Sequence, residues 1–168
     1  MRYRLDVVAA SVADVVSFAG GWTCDRVMAG WDVTVLVDER EDLRPINILG
    51  AETADLETAL AQWSLRPHPH SLAVSMDLFA ADSRIRRGVL EALEHGTTEV
   101  TLWGETWPTE LSRTVDCVEH RLSAAARAFK AQALAALSLP AVAVGRNETF
   151  RSGMANCLSV AADLIPAS

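Results

Sequence analysis

The stretch that decides the predicted fold runs from Glu99 to Leu137 and opens with the residues EVTLWGETWP at 99–108. Val100 to Trp103 is a short run of apolar and β-branched residues, which is typical of a buried strand. From Leu111 onward, apolar residues recur about every 3.7 positions. A coiled coil holds a period of 3.5, so this spacing indicates a helix that lies on a sheet or on another helix. The sequence therefore predicts a strand, an aromatic turn and one long helix over residues 109–137.

Upstream of this stretch, segments of strand and helix character alternate along the chain. Strands are expected at Asp32–Val37, Ile46–Leu49 and Leu72–Met76, with a weaker one at Ala141–Val144. Helices are expected at Leu5–Ala19, at Thr23–Ala29, at Thr53–Ser64, at 83–95 after a cap at Asp82 or Ser83, and in the tail after Gly153. Such alternation is the signature of parallel strands joined by right-handed crossovers.

These elements predict one α/β domain over residues 1–168. We expect a three-layer sandwich with a small, mostly parallel sheet of four to five strands and helices on both faces. The long helix of the C-terminal half would extend beyond so small a sheet. Its second half is rich in alanine, which lets another helix approach closely. The sequence therefore predicts a homodimer formed through the 109–137 helix.

Composition and charge restrict the possible classes of function. The chain has 168 residues, of which 50% are hydrophobic, and a net charge of −7. Residues 1–108 hold nine basic and seventeen acidic side chains, so nucleic-acid binding, which needs a basic surface, is not expected. No apolar run reaches 18 residues, so no membrane span is predicted. The three cysteines are far apart, which favours reduced thiols and a cytoplasmic location.

Three carboxylates follow the predicted strands or the turns after them: Glu52, Asp77 and Glu105. In open α/β sheets, ligands bind outside the carboxyl ends of the strands. If these side chains converge there, they could hold Mg²⁺ or form an acid–base pair. The alternative is that they cap the free N–H groups of separate helices.

Two further pairs are candidate ligand-binding residues. Trp103 and Trp107 flank a glycine at a strand exit and could wall a pocket, although core packing is the favoured explanation for both tryptophans. Arg146 and Arg151 lie in the polar segment 145–153, and arginine forks match carboxylate or phosphate. The alternative is a loop that only joins two elements.

Known catalytic motifs are missing from the sequence. Lys130 is the only lysine and has no P-loop around it, and neither GxGxxG nor GxSxG occurs. His68 and His70 lack the further ligands that a metal site needs. Cys117 and His120 have the spacing of a nucleophile and its base on a helix, but a solvated helix face is the favoured explanation. No metal site is predicted, and no cofactor is identified.

On these grounds the leading hypothesis is a non-enzymatic cytoplasmic α/β module. It would self-associate and bind a protein partner or a small ligand. The alternative is an anion-binding or metal-assisted small-molecule enzyme with an acidic site at the carboxyl ends of the strands. Nucleic-acid binding through Arg113, His120 and Arg127 is the least favoured hypothesis.

Overall fold

The computed structural model describes residues 2–111, 115–139, 144–153 and 163–167. The strands are β1 Arg4–Val8, β2 Asp32–Val37, β3 Glu52–Asp55, β4 Ser71–Ser75, β5 Glu99–Trp103, β6 Asp116–Arg121, β7 Asn147–Gly153 and β8 Ile165–Pro166. The α-helices are α1 Val12–Met28, α2 Arg44–Leu49, α3 Leu56–Ala61, α4 Met76–Ala81, α5 Ser83–His95 and α6 Ala124–Ala136.

The strands form one mixed sheet of eight, in the order β3-β2-β1-β4-β5-β7-β6-β8. The first five neighbours in this order run parallel, and β7, β6 and β8 join them antiparallel. The prediction of a small sheet of four to five strands is therefore wrong. It included β2, β4 and β5 of the parallel half and missed β1, β3 and the whole antiparallel half.

Helices cover both faces of the sheet. One core lies beneath α1, α2 and α6 and includes Trp22, Ile46 and Phe150. The other lies beneath α3, α4 and α5 and includes Leu60 and Phe79. Among the described residues, no helix is both long and apolar enough to cross a bilayer.

The N-terminal prediction of a helix over Leu5–Ala19 is wrong. Residues 4–8 form the central strand β1, and its apolar residues Leu5 and Val8 continue into Val12 and Val15 of α1 at the spacing of a single helix. Helix α1 begins after Ser11, whose hydroxyl accepts from the Asp14 N–H at 3.1 Å. It continues through Gly20 and Gly21, where two helices separated by a break were expected. Gly21 lies so close to Leu122 that only a residue without a Cβ fits there.

The segment 44–64 also differs from its prediction. Ile46–Leu49 belongs to the short helix α2, which has Pro45 in its first turn and ends at Gly50 in the left-handed conformation. The predicted helix 53–64 is instead β3 followed by α3, because Asp55 caps a new helix by accepting from the Thr58 N–H at 3.1 Å. Strands β2, β4 and β5 and helix α5 agree with expectation, including the Asp82 cap and the left-handed Gly96.

The long helix over 109–137 does not form. Its first half contains strand β6, in which Val118 and His120 are buried while Cys117 is exposed. Helix α6 begins only after Ser123, whose hydroxyl accepts from the Ala126 N–H at 3.0 Å. Asp25 of α1 anchors this point by accepting from the Ser123 N–H and hydroxyl. The dimer surface predicted on a single long helix is therefore absent in that form.

Two sequence predictions fall wholly or largely outside the described residues. These are the weak strand at Ala141–Val144 and most of the helical tail after Gly153. At the end of that tail, Ile165–Pro166 is strand β8, which pairs with β6.

Candidate functional site

A cleft opens in the sheet because neighbouring strands end at different levels. Strand β5 pairs with β7 only over Val100–Leu102 against Arg151–Gly153. Strand β6 pairs with β7 along its whole length. The segment 147–150 of β7 therefore continues past the last β5 pair, and the chain turns away at Gly104, whose φ is +144°. This gap lies at the carboxyl end of β5, where ligands of α/β sheets bind.

A cavity of about 380 Å³ fills this gap. We call it the β5–β7 cleft. Its wall comes from α1, from the turn after β5, from β6 and β7, and from α6. The residues that line it are Ser17, Phe18, Gly104, Trp107, Cys117, Lys130, Asn147, Glu148, Thr149, Phe150 and Arg151.

Arg151 is the cation of the cleft that lacks a carboxylate partner. Its guanidinium carbon lies 4.6 Å from the centre of the Trp107 ring, a cation–π contact that fixes the orientation of the planar group. Within the described residues, Arg151 makes no ion pair. It pairs with Cys117 across β6 and β7, and the side chains of such opposite residues lie on the same face of the sheet.

Lys130 and Glu148 form a buried ion pair that joins α6 and β7 to α1. Lys130 Nζ lies 2.7 Å from Glu148 Oε2 and donates to the Ser17 carbonyl at 2.8 Å. Glu148 also accepts from the Gly21 N–H at 3.0 Å and from the Trp22 N–H at 2.6 Å. Burial raises the pKa of Glu148, and Lys130 opposes that rise. These bonds fix the helical wall of the cleft.

Asp14 is a partly satisfied carboxylate on α1 that precedes lining residues of the cleft and is not itself one of them. Its Oδ1 accepts from Trp103 Nε1 at 3.1 Å, whereas its Oδ2 is buried and has no hydrogen-bond partner in the structure. Asp14 precedes the wall residues Ser17 and Phe18 by one turn of α1, so all three lie on one side of that helix. A buried carboxylate oxygen without a donor is costly and calls for a functional explanation.

The structure brings together only part of the predicted site. Trp107 and Arg151 line the cleft, and Trp103 lies buried behind it, bonded to Asp14. Arg146 is exposed, and its carbonyl accepts from the Leu122 N–H at 2.8 Å. Arg146 does not line the cleft.

The three predicted carboxylates do not form a cluster. Glu52 begins β3 opposite Thr34, so it lies near the amino end of its strand, about 10 Å along the strand direction from the carboxyl edge. β3 is also an outer strand, about 19 Å from β5 across the intervening spacings. Asp77 is exposed in the first turn of α4, and Glu105 is exposed in the turn after Gly104.

Sequence reasoning missed Asp14, Lys130 and Glu148 as members of the site. Lys130 was noted only as the sole lysine, because the predicted helix carried no partner for it. Asp14 was not singled out, since the strand before α1 was not recognised. Cys117 and His120, considered above as a nucleophile and its base, lie in different environments. Cys117 is exposed, whereas buried His120 lies 2.7 Å from Asp25.

A second cavity, of about 240 Å³, lies toward the amino ends of β4 and β5. Asp6 lines it and is paired with Arg66 at 3.3 Å. His68 lines it as well, whereas the neighbouring His70 accepts from the Arg4 N–H through Nδ1. Because its buried carboxylate, Asp6, is already paired and the cavity lies at the opposite edge of the sheet, this cavity is the weaker candidate.

Comparison with known proteins finds similarity at the level of structure. No family model matches the chain, and no curated protein matches it. The A40926 pseudoaglycone deacetylase Dbv21 superposes with a TM-score of 0.61 at 16% identity, covering 94% of this chain and 100% of its own. A triple mutant of the deacetylase Orf2 of the teicoplanin biosynthetic pathway gives 0.60 at 12% identity, covering 89% and 97%. The zinc inhibited form of teicoplanin deacetylase Orf2 gives 0.59 at 10% identity, covering 92% and 100%.

At these identities the similarity establishes the shared fold. It overturns the leading hypothesis of a non-enzymatic module, because the chains that share this fold here are deacetylases. They agree better with the alternative drawn from the sequence, an anion-binding or metal-assisted small-molecule enzyme, although the acidic site expected at the carboxyl ends of the strands does not form from Glu52, Asp77 and Glu105.

Because one of these neighbours is a zinc-inhibited form, we asked whether the chain could hold zinc. Among the described residues, no group of three or more histidine, cysteine, aspartate or glutamate side chains could hold a metal ion. Outside them, only Cys157 has such a side chain. The loop after β1 lies at the centre of the carboxyl edge. Its residues Ala9, Ala10 and Ser11 include none of the usual zinc ligands. The residues present therefore do not fit a zinc site, and no chemical step here is assigned to a metal.

Proposed function

We propose that this protein is a small-molecule hydrolase that removes an acyl group from an amide bound in the β5–β7 cleft. The observation that carries the proposal is the cleft itself, at the carboxyl edge of the sheet, with the guanidinium of Arg151 in its wall and no described carboxylate paired with it. The deacetylase neighbours support the choice of reaction, since their fold spans nearly the whole chain.

The proposed reaction needs a base for water and donors for the developing oxyanion. Water adds to the acyl carbon and loses a proton, the C–N bond breaks, and the departing nitrogen gains a proton, giving a carboxylic acid and an amine. Asp14 is the proposed base, because Trp103 orients one of its oxygens and the other is unpaired. Residues 147–150 of β7, whose edge away from β6 pairs with no described strand, supply N–H donors of the kind that stabilise an oxyanion.

A cytoplasmic location is part of the proposal. Cys24 and Cys117 are both free thiols, and Cys117 is exposed. An exposed free thiol is typical of proteins in a reducing compartment. Cell fractionation with an antibody to the chain tests it: recovery in the cytosolic fraction supports the location, and recovery in a secreted or envelope fraction contradicts it.

The hydrolase proposal is tested by following amine release from N-acetylated amino acids, amino sugars and simple amines. We expect turnover above the protein-free baseline on at least one class, and an Asp14→Asn variant at least 100-fold slower. That substitution keeps an oxygen for Trp103 to donate to and removes the charge. Asp32→Asn is the matched control, because Asp32 is exposed and paired only with Arg2 at the surface. No turnover on any class, or equal rates for wild type and Asp14→Asn, overturns the proposal.

A further inference from the structure

The position of Arg151 limits what can occupy the β5–β7 cleft. Its guanidinium is stacked on Trp107, and the side chain is only partly exposed. Several other arginines are paired, such as Arg84 with Glu57 and Asp82 and Arg26 with Glu99, whereas Arg87, Arg121, Arg127 and Arg146 make no ion pair within the described residues. Arg151 has no such partner among the described residues. A planar, oriented and uncompensated guanidinium binds a planar anion through two parallel hydrogen bonds.

The charges that line the cleft favour a single negative charge on the ligand. Three lining side chains are ordinarily charged: Lys130, Glu148 and Arg151. The first two compensate each other at 2.7 Å, which leaves one positive charge. A carboxylate balances that charge, whereas a doubly charged phosphate exceeds it and also approaches the buried Glu148 carboxylate.

The edge of β7 favours an amide beside that anion. Strand β6 occupies one edge of residues 147–150, and within the described residues no strand pairs with the other edge. In an antiparallel ladder, alternate residues direct their N–H and C=O groups to opposite edges. The free edge therefore presents backbone donors and acceptors to the cleft, and exposed Thr149 lies among them. Such an edge pairs with an extended amide.

We infer that the substrate class is an N-acylated amino acid or a similar molecule in which a carboxylate lies beside the amide. Arg151 holds the carboxylate against Trp107, and the free edge of β7 pairs with the amide. The inference rests on the proposed function for the identity of the site. Its test, however, is a binding measurement that requires no turnover.

The experiment compares two probes that differ only in charge. N-acetylalanine carries a carboxylate, and N-acetylalaninamide replaces it with a neutral amide. Isothermal titration of the full chain should show N-acetylalanine binding at least tenfold more tightly. Arg151→Gln should reduce its affinity to that of the neutral probe, and Arg151→Lys should recover part of the difference. Arg146→Gln is the matched control, because Arg146 is a nearby exposed arginine that does not line the cleft.

A second readout places the ligand in the cleft. Cys117 lines the cleft opposite Arg151, so bound N-acetylalanine should slow its alkylation by iodoacetamide, followed on the tryptic peptide. Equal affinity for the two probes, no binding of either, or an unchanged preference in folded Arg151→Gln overturns the inference. A carboxylate preference without amine release supports the inference and refutes the hydrolase proposal. Turnover without a carboxylate preference refutes the inference alone.

Discussion

Two adjacent glycines of α1 should respond to the same substitution with opposite signs. Gly20 and Gly21 are both buried in the middle of the helix. A Cβ added at Gly20 would find its nearest neighbours at 3.6 Å, which is ordinary contact. A Cβ added at Gly21 would lie 2.1 Å from Leu122 Cδ2 and 2.4 Å from its Cγ. Leu122 is itself buried, so it has little room to withdraw.

The two effects can be given magnitudes. In a helix interior, alanine is more favourable than glycine by about 1 kcal/mol, so Gly20→Ala should raise the free energy of unfolding by about 0.5–1 kcal/mol. At Gly21 the same gain is opposed by overpacking, which costs about 1–3 kcal/mol. Two contacts below 3 Å place the overpacking cost at the upper end of this range, so Gly21→Ala should lower the free energy of unfolding by about 2 kcal/mol. The variants should therefore differ by about 3 kcal/mol, or about 6–12 °C in Tm for a chain of this size.

Urea unfolding followed by circular dichroism measures both variants against wild type. The midpoints should move in opposite directions with unchanged slopes. A cycle adding Leu122→Ala should show that Gly21→Ala costs less once the leucine is truncated, which assigns the penalty to this contact. If both glycine variants are destabilised to the same extent, α1 does not continue through these residues. The reasoning from the Leu122 contact would then be refuted.

Three other predictions follow from the described contacts. Burial raises the pKa of Glu148 above 4.5, so the folded chain keeps a proton that the unfolded chain has lost, and stability falls as pH rises through the raised pKa. The double variant Lys130→Met/Glu148→Gln should not show this fall in stability when urea midpoints are measured over a series of pH values. Parallel curves for wild type and the double variant would contradict the prediction. Burial, with Asp25 and Glu148, raises the pKa of Cys24 to about 11, so at pH 8 iodoacetamide should modify exposed Cys117 far faster; equal rates by peptide mass spectrometry would contradict this. Self-association stays a prediction, and it now rests on α6, where Phe129 is 45% exposed. Sedimentation velocity should show a dimer for wild type and a monomer for Phe129→Glu. A monomeric wild type would contradict the prediction.

Part of the parallel half of the sheet was predictable because its signals are local. β2 is rich in β-branched residues, and α5 has an aspartate cap and a terminal glycine. The central strand β1 was missed because its apolar residues continue into those of α1 at helical spacing. Strand β3 was missed because it has only four residues and ends at Asp55, the cap of α3.

The antiparallel half was not predictable from local pattern. Residues 116–121 include one aspartate, one glutamate and one arginine, so their strand character comes from pairing with β7 and not from propensity. The same contrast between local signals and long-range contacts applies to the candidate site. Trp107 and Arg151 were identified from residue type and position. Lys130 and Glu148 meet only because α6 and β7 both contact α1, a relation that no sequence spacing expresses.

The most direct test of the central claim is to map where a ligand binds by titrating ¹⁵N-labelled protein with N-acetylalanine and following backbone amide shifts. The account predicts that the largest shifts fall on the free edge of β7 at residues 147–150 and on the turn from Gly104 to Trp107. Shifts centred on Arg66 and His95, around the cavity at the amino ends of the strands, would contradict it.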